Sequence, residues 1–195
     1  MKELSIVVLI SGRGSNLQAI IDAVEKGKVS ARIEAVISNV PGVQGLERAR
    51  KHNIPAVVVD NKKFSDKSSY ENVLLQTIDS FGPDLICLAG YMRIVGPQII
   101  SKYKGRIINI HPALLPAFPG LHAQRQAIEA GVKESGCTVH FVDEGCDTGP
   151  IILQKKVSVL PSDTEATLSA RILVEEHKLY PEAINLFAEG KIKIN

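Results

Sequence analysis

The sequence predicts an α/β domain. Its doubly wound sheet is mostly parallel in the N-terminal half, becomes mixed in the C-terminal half, and carries helices on both faces. Three observations lead there. Residues 4–10 form a near-continuous apolar run with β-branched side chains, and 84–89 is a second buried-type run, as in strands covered on both faces. Helical spacing and short connections alternate with such runs, which is how crossover helices build parallel strands. The last two apolar runs, 137–142 and 150–159, are joined only by the polar segment 143–149, which suits a hairpin and so a mixed sheet.

The first strand, 4–10, runs into Ser11-Gly12-Arg13-Gly14-Ser15-Asn16. Leu17, Ile20, Ile21 and Val24 then follow at helical spacing, with Gly27 placed to cap the end. Strand 32–38 leads through Pro41-Gly42 to a short helix over 45–52, then strand 56–60, helix 68–81 and strand 84–89. Pro97 fits the first turn of a helix reaching 103. Strand 106–110 follows, and Pro112, Pro116 and Pro119 stiffen the loop before a helix over 122–130. After the hairpin, Ser162 and Glu165 form a capping-box pattern for a long helix over 164–189, which Pro181 is placed to kink.

At 195 residues the chain reads as a single domain, with 1–105 as a phosphate-binding half and 106–195 as a catalytic half. No apolar run approaches the ~20 residues that span a bilayer, and a net charge of +2 gives no case for a nucleic-acid or membrane partner. The apolar N-terminus leads into a glycine turn and not into a small-residue cleavage site. Cys87, Cys137 and Cys146 lack paired spacing, so the expectation is reduced thiols in a cytoplasmic protein, with neither disulfide nor zinc knuckle.

In a parallel sheet of this kind ligands bind beyond the carboxyl ends of the strands. Asn109 and His111 lie there, two residues apart and so on one strand face, where an amide and an imidazole make a small polar site. The loop of Gly12, Arg13, Gly14, Ser15 and Asn16 joins a strand to a helix, a candidate phosphate cradle. It is not a dinucleotide fingerprint, because Leu17 holds the third glycine position and Ser38-Asn39 replaces the expected acid; nor is it a P-loop. Asp147 sits in turn chemistry, Cys146-Asp147-Thr148-Gly149-Pro150, and bears on His111 only if the loop folds back. Glu176 interrupts the apolar stripe Leu168, Ile172, Leu179, Ala183 and Phe187, so its carboxylate either reaches solvent at the edge of the stripe or has an inward partner, a structural Arg or a ligand amine. His52 complements a helix end, His122 begins a helix beside the proline loop, His140 reads as a satisfied half-buried strand residue, and His177 packs under the sheet. No cluster has metal-ligand spacing, so no metal is expected.

Several of these segments occur together, and in this order, in one family. They are Ser11 to Leu17 after the first strand, Leu88 to Ile94, Asn109-Ile110-His111-Pro112 with Leu114-Leu115-Pro116, Pro119 to His122, and Asp147-Thr148-Gly149-Pro150. On them the chain resembles, over its full length, the folate-dependent phosphoribosylglycinamide formyltransferases of purine synthesis. The resemblance implies 5-phosphoribosylglycinamide as substrate and 10-formyltetrahydrofolate as co-substrate, with the protein a monomer or homodimer. It implies that Gly12 to Asn16 hold the phosphate, and that Leu173, Val174, Glu175 and Glu176 border the glycinamide and ribose. Met92, Arg93, Ile94 and Val95 would line a folate pocket closed by Asp143, Glu144, Gly145, Cys146 and Asp147. Asn109, which also faces the folate, His111 and Asp147 would be the catalytic trio. Lys67 stands where the family carries an arginine toward the folate; it keeps the charge without the bidentate fork. Ala117 replaces a lysine that occurs in the proline loop. Formyltetrahydrofolate hydrolases share the trio, normally with an added N-terminal domain, and methionyl-tRNA formyltransferases normally add a basic RNA-binding domain.

Overall fold

The structure, a computed structural model, describes residues 3–192. Among these residues, one sheet contains β1 (Leu4–Ile10), β2 (Ala31–Ser38), β3 (Ala56–Val58), β4 (Leu85–Leu88), β5 (Ile107–His111), β6 (Glu134–Phe141) and β7 (Ile151–Ser158), in the order β3-β2-β1-β4-β5-β6-β7. The first five pair in parallel; β6 is antiparallel to β5, and β7 to β6. The helices are α1 (Ser15–Glu25), α2 (Gln44–Lys51), α3 (Lys67–Phe81), α4 (Pro97–Lys102), α5 (Ala123–Glu129) and α6 (Glu165–Ala188).

Alternation along the strands sorts the apolar side chains into two layers. Ile6, Val8 and Ile10 pack with Leu17, Ile20 and Ile21 of α1 and with Leu168, Ile172 and Ile184 of α6. Val7 and Leu9 point the other way, onto Leu74 and Ile78 of α3 and Ile99 of α4. Both faces are covered, as the near-continuous apolar run of β1 requires. The strand order reverses at β1, which lies between β2 and β4, and this opens a crevice beyond their carboxyl ends. Tyr180 of α6 is fully buried, and its hydroxyl donates to the carbonyls of Leu88 (2.9 Å) and Ile108 (3.1 Å), on neighbouring strands.

Several details differ from expectation. β3 ends at Val58, because the Asp60 side chain accepts the Lys62 N–H and starts a 3-10 turn at Asn61–Lys63. β6 begins at Glu134, earlier than its apolar run. The capping box of α6 is formed by Thr164 and Thr167, not by Ser162 and Glu165. The Thr167 hydroxyl stands in for the usual Glu or Gln and accepts the Thr164 N–H at 2.9 Å. Pro181 lies inside one continuous α6, where its missing N–H removes a single ladder bond.

Register places the hairpin loop. Ile108 pairs with Phe141 and His111 with Thr138, so β6 ends level with the amino-terminal half of β5. The 142–150 connection therefore starts from the far end of the site and has to turn back along the sheet to reach it.

Candidate active site

β5 sends Ile108 and Ile110 into the layer beneath α6 and turns Asn109 and His111 to the opposite face. His111 is only 4% exposed. Its Nε2–H donates to the carbonyl of Phe118 at 2.8 Å, and its Nδ1 lies 3.3 Å from Asp147 Oδ2. Both neighbours are acceptors, so the imidazolium is the form that donates to each. Asp147 does fold back. It sits at φ 56, a left-handed conformation that an Asp tolerates better than most side chains, and its Oδ2 accepts the Gly120 N–H at 2.8 Å. Burial opposes the charge of Asp147. A hydrogen bond from His140, the Gly120 N–H and the charges of His111 and His140 outweigh it and hold the carboxyl at about 2.

His140 belongs to this cluster, although by sequence it reads as a structural strand residue. It is paired across the ladder with Asn109 and is 2% exposed. Its Nδ1–H donates to the carbonyl of Phe141 at 2.8 Å. Its Nε2 faces Asn109 Nδ2 at 3.2 Å. Asn109 Nδ2 also lies 3.4 Å from Asp147 Oδ1, and His140 Nε2 lies 3.5 Å from the same oxygen. The signal that finds His140 is the β5–β6 register, which no single-sequence pattern supplies.

The glycine loop forms the second part. It lines a cavity of about 240 Å³ with Ser11, Ala89, Gly90 and Met92, at the reversal of strand order. Gly14 caps α1 at φ 69, and a Cβ there would stand 2.8 Å from Gly45 Cα. Gly45 in turn donates its N–H to Gly12 O at 3.0 Å. Two backbones thus meet where no side chain fits. Gly12 has open space in front of it, where a Cβ would meet nothing within 4 Å. The Arg13 side chain is exposed and its carbonyl is held by Arg48 Nε at 2.9 Å. Asn16 Nδ2 donates to Glu176 Oε2 at 2.8 Å, so the partner of the inward carboxyl is an amide and not an arginine.

The remaining candidates scatter. Met92 and Ile94 are exposed at the rim, whereas Val95 is buried in the layer beneath α3 and α4. Arg93 lies over the Tyr70 ring, 5.0 Å from its centroid. Lys67 Nζ is 3.4 Å from Glu71 Oε1. Val174 faces solvent, Leu173 is half-buried, and Glu175 accepts from Lys178 at 2.8 Å. In the hairpin loop Asp143 Oδ1 accepts from Gly145 N–H (3.0 Å) and Thr148 Oγ1 (2.7 Å), while Glu144 and Cys146 are exposed. His177 lines a separate cleft of about 690 Å³ between α1 and α6, not the underside of the sheet. Among the described residues no group of His, Cys, Asp and Glu is placed to hold a metal, and no helix is long and apolar enough to cross a membrane.

Residues 4–184 match the family model described as formyl transferase. The chain belongs to the formyl transferase family. The phosphoribosylglycinamide formyltransferase of Escherichia coli is 47% identical over 192 residues, covering 98% of this chain and 91% of that protein. The trifunctional purine biosynthetic protein adenosine-3 of Drosophila pseudoobscura is 52% identical over 190 residues; the match takes in 96% of this chain but spans 14% of that much longer relative. The crystal structure of glycinamide ribonucleotide transformylase 1 from Symbiobacterium toebii superposes with a TM-score of 0.96 at 52% identity, covering 98% of this chain and 91% of that one. The fold expected from the sequence is therefore that of the family, mixed second half included.

Proposed function

We propose that the protein transfers the formyl group of 10-formyltetrahydrofolate to the amine of 5-phosphoribosylglycinamide, a step of purine biosynthesis. The observation that carries this reading is the placement of His111 between two acceptors, beside Asn109 and next to a glycine cradle at the reversal of strand order. The names of the relatives that match nearly the whole chain support it. A cradle of backbone N–H groups at the start of α1 suits the ribonucleotide phosphate. The exposed rim at Met92 and Ile94 suits the flat pterin.

The chemistry is direct. The neutral amine attacks the formyl carbon, a C–N bond forms, and negative charge grows on the formyl oxygen. The bond from carbon to N10 then breaks; the attacking nitrogen gives up one proton and N10 gains one. An imidazolium at His111 and the amide of Asn109 stabilise the developing charge. The Nε2–H that donates to Phe118 O is the donor for which the formyl oxygen competes. Asp147 compensates the imidazolium and steers proton transfer. No covalent intermediate on the protein is required.

One assay tests the reading. The protein is mixed with 10-formyltetrahydrofolate, and deformylation is followed with and without 5-phosphoribosylglycinamide. Turnover that depends on the amine is the expected result. Turnover without it would make the protein a hydrolase, and none would overturn the proposal.

A further inference from the structure

Glu176 is 6% exposed, on the side of α6 packed against α1. Its one hydrogen-bond partner is neutral, the Nδ2 of Asn16, and it makes no ion pair among the described residues. On the same Asn16 side chain, Oδ1 is buried and lacks any donor. An ionised carboxylate explains neither fact. It would stand uncompensated in a buried place and offer a second acceptor to a carboxamide that already has an acceptor to spare.

We infer that Glu176 stands as a neutral carboxylic acid paired with Asn16. The amide donates to Oε2, and the acid proton supplies the donor that Oδ1 lacks, closing a paired acid–amide ring across α1 and α6. The surroundings agree. Burial pushes the Glu176 carboxyl up, against the lowering effect of the Asn16 hydrogen bond. On β6 the nearby titratable group is Cys137, whose thiol is pushed up to about 12, first by burial, so it stands neutral and supplies no countercharge. Lys155 on β7 acts on Cys137 in the opposite direction. On α6 itself, Glu175 is tied to Lys178, and burial, with the charge of Arg48, pushes His177 toward its neutral form.

The consequence concerns substrate binding and rests on the reading that Gly12 to Asn16 hold a phosphate. Asn16 closes that loop, so an ionised Glu176 would set a negative charge behind a site meant for a phosphate dianion. A neutral Glu176 removes the repulsion and still holds the loop. Affinity for the ribonucleotide then requires the proton, and falls as Glu176 ionises.

Two measurements decide it. An infrared spectrum at neutral pH is expected to show a deuterium-sensitive carboxylic acid C=O band that is missing in Glu176→Gln. The dissociation constant of 5-phosphoribosylglycinamide is then followed in both proteins as the pH is raised until that band disappears. Wild-type affinity is expected to decline relative to Glu176→Gln, approaching a factor of ~10 per pH unit, so that the variant binds more tightly at the alkaline end. Absence of the band, or an affinity ratio that stays constant with pH, overturns the inference. A Gly12→Leu variant tests the underlying reading separately. If it still binds the ribonucleotide, the phosphate assignment fails, while the infrared band still reports the state of Glu176.

Discussion

At the residue level the site is a short hydrogen-bonded chain in which Asp147 touches everything else. Asn109→Ala and His111→Ala are each expected to keep the thermal transition and lose on the order of 3–4 kcal/mol of transition-state stabilisation, hundreds-fold in kcat. Single-turnover rates at saturating substrate check this, and near-normal turnover in either variant removes that residue from the site. Asp147 also couples stability to pH. Its carboxyl is held at about 2, below the ~3.9 of an unfolded chain, so its contribution is full above about pH 4 and is lost as pH falls through 2. Urea midpoints measured down the acid limb should show that loss in wild type and not in Asp147→Asn. Asn109 and His111 were legible because period-2 alternation puts them on one face whatever the tertiary structure. His140 was not, since its role depends on which residue of a distant strand it opposes, and pairing register is not written in local pattern. Glu176 was half legible. Its misfit on an apolar stripe was visible, but its partner Asn16 is 160 positions away.

At the level of elements, the loop before α1 depends on backbone shape more than on side chains. Gly14→Ala meets both a left-handed φ of 69 and the Cα of Gly45 at 2.8 Å. It is expected to cost about 1–3 kcal/mol in the urea midpoint. Weakened ribonucleotide binding should accompany that cost, and a neutral outcome would show that α1 and α2 are free to separate. The glycines at this turn were readable as a strand-to-helix connection. The second glycine of the contact, Gly45, was not, because it lies within a segment that reads simply as helix. The capping box of α6 was misread for a related reason, although the helix begins where expected. Thr164 and Thr167 make a capping box with no acidic or amide side chain in the sequence to announce it.

At the level of the molecule, alternation of strand and helix fixed the parallel half, and the short polar link between the last strands predicted the antiparallel end. What the pattern could not give was the direction from which Asp147 arrives. Ligand sites on doubly wound sheets are expected at the carboxyl ends, and Asn109, His111 and the glycine loop obey that rule. Asp147 does not, since its loop leaves β6 level with Ile108 and climbs back. The histidine is thus gripped by two loops of opposite origin, one giving Phe118 O and the other Asp147, and the Gly120 N–H ties them together. Under the proposed mechanism such a clasp is a two-key lock, and neither loop alone is expected to arm the histidine. Lengthening the hairpin loop by one residue after Glu144 should therefore leave the melting temperature and ribonucleotide affinity close to wild type while turnover collapses. Retained turnover would show that one key is enough. It follows that the lengths of the two loops are not free to drift independently, although no strand or helix connects them.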